Sequence, residues 1–275
     1  MNQNLQGDQK AAHQLTPFEK KLLAWGKRTG RRDGEKGIFL EGQKLAEEAL
    51  YGGQSIKAAF YTPDFQASHA GLISQIESRD ARMVLVSARF MKSISEMETP
   101  PGIILVASEP GFIYKQPGDS FSLIVAVSMV QDPGNLGGVI RTADYFGVDE
   151  IWLGPGSADP HNTKSIRGTM GAVLRMPVIR VADLTERIVR FKETGAEIWA
   201  SLPHDLNAEL KIKPGGSRIL LIGGESKGLS RKEAELADYT IRIPGARRSE
   251  SLNLAVATGI LIYSATSGRF AESIK

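Results

Sequence analysis

Apolar residues along the chain fall into two alternating kinds of run. Short, nearly continuous ones occupy residues 37–40, 56–62, 83–86, 103–107, 123–130, 150–153, 197–202, 217–222 and 240–243. Between them lie segments whose apolar positions recur at helical spacing, over residues 18–25, 43–51, 72–76, 87–91, 136–146, 184–194, 231–237 and 252–264. The first kind predicts buried strands and the second predicts amphipathic helices. The alternation predicts an α/β chain, with a parallel sheet covered on both faces in its second half. Punctuation agrees with this reading. Gly52-Gly53 stops one helix, Pro63-Asp64 closes one strand, and Ser87 caps a helix that Pro100-Pro101-Gly102 breaks. In the last helix the apolar face reads as Leu252, Val256, Ile260 and Tyr263, with a serine of the preceding loop as N-cap.

The same pattern divides the chain. Residues 1–34 read as a polar, basic extension with one short helical patch, residues 35–110 as a small α/β unit, and residues 120–270 as a larger one. The stretch 109–120, with two Pro-Gly pairs, is the boundary. Apolar residues make up 41% and charged residues 24% of 275, which suits a globular protein and excludes wholesale disorder. Cysteine is absent, which excludes disulfides, thiolate-bound zinc, iron–sulfur clusters and thiolate nucleophiles. The histidines are scattered without metal-ligand spacing, so no metal is expected. The start, MNQNLQGDQKAAHQ, has no apolar core of a signal peptide, and no run approaches a membrane span, so a cytoplasmic protein is expected.

The net charge is only +3, but residues 20–36 hold seven cations against two carboxylates. Arg28, Arg31 and Arg32 in this stretch read either as a solvated tail or as an arm that contacts phosphates.

In an open parallel sheet, ligands bind beyond the carboxyl ends of the strands, and four loops there carry chemistry. Residues 131–138 turn at Pro133-Gly134, place Asn135 to cap a helix, and lead to Arg141. Residues 154–159 mimic a dinucleotide fingerprint, but Asp159 stands where the third glycine belongs. Residues 223–230, Gly-Gly-Glu-Ser-Lys-Gly-Leu-Ser, have P-loop glycine spacing with Leu229 in place of the essential lysine. There Gly224 reads as room for close approach of backbone to a ligand, and Glu225 supplies a carboxylate. Residues 243–253 carry Arg247 and Arg248 for phosphates, then Ser251 and Asn253 at a helix N-terminus.

The order of these loops resembles the motifs of the SPOUT superfamily of RNA methyltransferases, in its SpoU/TrmH-type branch. The matching text is Asp132-Pro133-x-Asn135-x-Gly137 through Arg141-Thr142-Ala143, then Leu221-Ile222-Gly223-Gly224-Glu225-x-x-Gly228-Leu229-Ser230, then Ile243-Pro244 with Ser251-Leu252-Asn253. Residues 165–178 are similar to the family's connection between motifs, and the resemblance spans about residues 120–266. Residues 30–108, with Phe39-Leu40-Glu41-Gly42, resemble the small ribosomal-protein-like substrate-binding domain that often precedes it. The chain departs from the family's common residues at Gly224, Gly245 and Arg247 while keeping the spacing.

The resemblance implies a parallel sheet with a C-terminal trefoil knot, S-adenosylmethionine as cofactor, a homodimer, and methylation of a ribose 2′-hydroxyl in ribosomal or transfer RNA. It implies cofactor contacts at Ser201, Leu202, Gly223, Gly224, Ile243, Ser251 and Leu252. It implies a catalytic set of Arg141, Asn135, Glu225, Ser251 and Asn253, with Arg167, Arg247 and Arg248 toward RNA. Two alternatives stay open: a non-catalytic RNA-binding paralogue and an RNA base methyltransferase. The tryptophans at 152 and 199 read as packing residues because they lie within apolar strands.

Overall fold

A computed structural model describes residues 15–27, 36–202, 215–245 and 252–270. They form two compact units, one of residues up to Pro110 with His161–Arg167, the other of Gly111–Pro160 with residues from Gly168 on.

The first unit is built from α1 (Pro17–Gly26), β1 (Gly37–Glu41), α2 (Gln43–Tyr51), β2 (Ile56–Tyr61), α3 (Pro63–Ser68), α4 (Ala70–Glu77), β3 (Arg82–Leu85), α5 (Ala88–Ile94) and β4 (Ile103–Ser108). Its sheet has the order β1-β4-β2-β3, with β4 antiparallel to both neighbours and β2 parallel to β3. Strand alternation sorts the side chains to two faces. Phe39, Ala58, Phe60, Val84, Ile104 and Val106 pack against Leu15, Leu23 and Trp25 at α1 and against Met91 of α5. The opposite face is covered by α2 and, beside it, α4.

Residues 15–27 are therefore part of this core, which corrects the expectation that all of residues 1–34 form an extension. Thr16 closes a capping box with Glu19, and Gly26 sits so near Val106 that an added methyl group would lie 3.1 Å from it. The helix capped by Ser87 ends at Ser95, ahead of the expected break at Pro100. The segment after Pro63 is a helical turn, α3, because Thr62 caps it and Pro63 occupies its first position.

Helix α7 (Thr163–Thr169) has its first five residues in the first unit, and the second unit runs β5 (Leu123–Val127), α6 (Pro133–Tyr145), β6 (Glu150–Leu153), β7 (Val178–Arg180), α8 (Leu184–Lys192), β8 (Glu197–Ser201), β9 (Arg218–Ile222), α9 (Arg231–Ala234), β10 (Tyr239–Ile241) and α10 (Leu254–Phe270). Its six strands are all parallel, in the order β10-β8-β9-β5-β6-β7. One face packs Ile124, Ala126, Trp152, Ile198 and Leu221 on Leu184, Ile188 and Phe191 of α8. The other face carries α6 and α10, which pack on each other. Trp152 is fully buried and Trp199 nearly so, as packing residues.

Helix α10 corrects the expected apolar face. Leu254, Thr258, Leu261, Ile262 and Ala265 are buried, whereas Leu252, Val256 and Tyr263 are 49%, 53% and 57% exposed. The expected trefoil knot involves the C-terminal part of the chain, of which residues 203–214, 246–251 and 271–275 lie outside the described residues.

Candidate active site

Because every strand of the six-stranded sheet points the same way, all carboxyl ends open on one edge. Val127 of β5 lies opposite Ile222 of β9, and Ser201 of β8 lies opposite Ile241 of β10. The Leu202 N–H donates to the Ile241 carbonyl at 3.0 Å. The candidate cofactor residues Ser201, Leu202, Gly223, Gly224 and Ile243 thus follow the ends of three neighbouring strands, and all five are half-buried. Leu252 stands exposed just ahead of α10.

The turn after β9 is closed by reciprocal backbone hydrogen bonds between Gly224 and Gly228, both 3.1 Å. A methyl group added at Gly223 would lie 2.5 Å from the Gly228 carbonyl carbon, and Gly228 itself has φ +65°. Both positions need glycine, one for space and one for conformation. One added at Gly224 would come within 2.9 Å of the Met129 carbonyl oxygen. The expected room for a ligand at Gly224 is therefore taken by the chain's own backbone.

Three polar side chains meet at this edge. The sequence reading places Asn135 as the cap of α6; in the structure Asp132 caps it, its side chain accepting the Asn135 N–H at 2.8 Å, with Pro133 in the first turn. An aspartate directly ahead of a proline at the helix start is the signal that identifies this cap. Asn135, displaced into the first turn, is free to use its side chain elsewhere. Its Nδ2 donates to Glu225 Oε1, and its Oδ1 accepts from Asn253 Nδ2 at 2.8 Å. Glu225 Oε2 accepts from the Asp132 N–H at 3.4 Å. Asn253 Oδ1 accepts from the Ala255 and Val256 N–H groups at 2.9 and 3.3 Å. Asn253 is thus the cap of α10, where a serine is expected from the sequence.

The direction of this chain of hydrogen bonds is fixed at both ends. A carboxylate oxygen accepts and a helix N–H donates, so neither amide can be turned over without placing like groups together. Asn135, Glu225 and Asn253 therefore tie the loop after β5, the loop after β9 and the start of α10 into one unit.

Arg141 is not a member. It lies two turns along α6, exposed, with no hydrogen bond or ion pair among the described residues. Arg167 is half-buried on α7, and its Nη1 is buried without a hydrogen-bond partner among the described residues. Ser251, Arg28, Arg31, Arg32, Arg247 and Arg248 lie outside the described residues. The loop that mimics a dinucleotide fingerprint is structural: Ser157 Oγ accepts the Val130 N–H at 3.1 Å, and Gly154 lies against the Ser128 carbonyl.

The chain belongs to the SpoU rRNA Methylase family, which matches over residues 122–263. An MRM3-like substrate binding domain matches over residues 20–105. An uncharacterized tRNA/rRNA methyltransferase of Synechocystis is 29% identical over 94% of this chain and 93% of its own length. The 23S rRNA (guanosine(2553)-2′-O)-methyltransferase RlmP of Bacillus subtilis is 29% identical over 88% of this chain and 94% of its own. The crystal structure of an AdoMet-bound rRNA methyltransferase from Sinorhizobium meliloti superposes with a TM-score of 0.75 at 29% identity, covering 92% of this chain and 95% of that one. Fold and motifs together make this an RNA methyltransferase of the SpoU type.

Proposed function

We propose that the protein transfers a methyl group from S-adenosylmethionine to a ribose 2′-hydroxyl of RNA, ribosomal RNA in the first place and transfer RNA in the second. The observation that carries this reading is the Asn135–Glu225–Asn253 chain, which joins three loops of the matched family domain at one sheet edge. The ribose chemistry of the Bacillus relative and the AdoMet of the Sinorhizobium structure support it.

The residues present fit the cofactor. Leu202 and Ile243, half-buried and apolar at the strand ends, would border a flat ring, and Gly223, packed against the Gly228 backbone, would offer only its main chain. Ser201, Gly224, Ser251 and Leu252 complete the proposed set. The cofactor supplies a methyl group on a sulfonium, already activated for displacement. The protein then has to align the hydroxyl, take up its proton and keep water away. A guanidinium does not release its proton at working pH. Arg141, exposed and unpaired, would instead hold the substrate phosphate, an oxygen of which takes the hydroxyl proton as the ribose oxygen bonds the methyl carbon and the carbon–sulfur bond breaks, leaving a neutral thioether. Asn135, Glu225 and Asn253 orient the loops around it, and Ser251, two positions before Asn253 in the sequence, completes the proposed set.

The working form is a homodimer. Helices α6 and α10 leave a shallow apolar cavity of about 510 Å³ lined by Gly138, Thr142, Val256, Gly259, Ile260 and Tyr263. Tyr145, 80% exposed, packs edge-on against Phe146, which in turn packs against Tyr263 of this lining. A contiguous apolar surface of this kind marks an interface, and a second copy of α6 and α10 would cover it and bring another Arg141 near. The cytoplasm is the proposed place of action.

The deciding experiment incubates the protein with S-adenosylmethionine and protein-free ribosomal and transfer RNA, then separates the digested nucleosides by mass. A 2′-O-methylated nucleoside is expected. A base-methylated product would overturn the ribose assignment. Absence of both product and cofactor binding would leave a non-catalytic RNA-binding paralogue.

A further inference from the structure

The first unit segregates charge between its two faces. On one face, α1 and α5 lie over the same cluster around Phe39 and Val106, and the Lys27 ammonium at the end of α1 donates to the Ile94 carbonyl at the end of α5 at 2.6 Å. These two helices carry Lys20, Lys21, Arg89 and Lys92, all exposed and none with an ion pair or hydrogen bond among the described residues. Their one carboxylate, Glu19, is fully buried and bonded to Arg82 at 3.0 Å, so it does not offset the surface charge. On the other face, α2, α3 and α4 carry Glu47, Glu48, Asp64 and Glu77 against Lys44 and, just after α4, Arg79; Lys44 is already paired with Glu48 at 2.8 Å, and Arg79 donates to the Leu50 carbonyl at 3.5 Å.

We infer that the α1/α5 face is where this unit receives RNA, through the phosphate backbone. This rests on the reading of the protein as an RNA methyltransferase and goes further, to one face of one unit and four residues. Unpaired cations on a rigid two-helix surface match the spaced charges of a phosphate backbone, whereas the α2–α4 face would repel it. The lysines at 20 and 21 therefore act from a folded helix that shares its core cluster with α5, which reduces the entropy lost on binding.

The test compares full-length variants with equal loss of charge on opposite faces: Lys20→Glu/Lys21→Glu and Arg89→Glu/Lys92→Glu against Lys44→Glu/Arg79→Glu. Binding to phenol-extracted ribosomal RNA is measured over a range of salt concentrations, and S-adenosylmethionine binding is measured by calorimetry. The two α1/α5 variants should each lose roughly tenfold or more in affinity, and the slope of log affinity against log salt should become shallower by about one to two. The α2 variant should keep both. Equal losses on the two faces would show a mere effect of net charge and overturn the assignment, as would unchanged affinity and slope in the α1/α5 variants. Cofactor binding reports on the other unit. Its absence in the parent protein would count against the methyltransferase reading and leave the RNA face to be judged by the salt series alone.

Discussion

The side-chain amide of Asn253 donates to that of Asn135 at 2.8 Å, across 118 positions of sequence. The same Asn253 caps α10 with its oxygen, and the same Asn135 donates onward to Glu225. A helix start, a strand-end turn and a second helix start are thereby held in one arrangement, and each link depends on the other two.

Breaking this chain should show its cooperativity. Asn135→Ala and Asn253→Ala each remove one shared hydrogen bond, so the double variant should lose less transition-state stabilisation than the sum of the single ones. A coupling of about 0.5–3 kcal/mol is the expected size for residues in one network. Methyl transfer under kcat/KM conditions measures it, and strict additivity would show that the two amides act separately.

Arg141→Ala should lower kcat by about a hundredfold or more while cofactor affinity stays near that of the parent, because the exposed side chain makes no hydrogen bond or ion pair among the described residues and is proposed to act on substrate. Calorimetry with S-adenosylmethionine beside single-turnover methyl transfer separates the two quantities. A parallel loss of cofactor binding would place Arg141 in the cofactor site instead.

Gly223→Ala places a methyl group 2.5 Å from a backbone carbon, where no flexible side chain can yield. The turn must open, at a cost of about 1–3 kcal/mol if it resembles other overpacked sites. Urea denaturation should show the lower midpoint, and cofactor affinity should fall with it. Normal stability would mean that the turn is more accommodating than its closure by Gly224 and Gly228 implies.

Glu150 begins β6, at the edge of the sheet opposite the site, with 1% of its surface exposed. Burial pushes its carboxyl above the ordinary value of 4.5, against the opposing pull of the Lys115 N–H, the Trp152 indole and Arg187. Arg187 lies 3.3 Å from the carboxylate and over the Trp152 ring at 4.5 Å. A carboxyl whose folded pKa is raised favours folding most when protonated. Its contribution is fully present below pH 4.5 and is lost as pH rises through the folded pKa. The stability of the parent relative to Glu150→Gln should therefore decline with increasing pH across that window. Unfolding midpoints of both proteins at a series of pH values test this, and a difference that grows with pH would contradict it.

Val256→Lys and Tyr263→Lys put charge on the exposed apolar stripe of α10 without entering its buried face. If that stripe is the dimer contact, sedimentation should show a shift toward monomer, and methyl transfer should fall with it. A variant that keeps the mass of the parent would show that another surface joins the copies.

Much of the fold is legible in the sequence because strands and helices are written in local periods of 2 and 3.6 residues. The apolar runs locate all six strands of the large sheet except β7, whose three residues, Val178–Arg180, are too few to carry a period. They also place Gly223, Glu225 and Asn135 in loops at strand ends, where ligands of parallel sheets gather.

What the tertiary structure alone decided is which of these residues meet. Asn135 and Asp132 both suit a cap; the choice of Asp132 follows from Pro133 at the helix start and leaves the asparagine for Glu225 and Asn253. Leu252, Val256 and Tyr263 share an apolar stripe that looks like core by period, yet α10 turns its other side inward. The two charged faces of the small unit exist only once its strands are interleaved as β1-β4-β2-β3. Local period tells which side of an element is apolar. Which neighbour covers that side is settled by crossovers and pairings between distant segments, and no local window of the chain contains them.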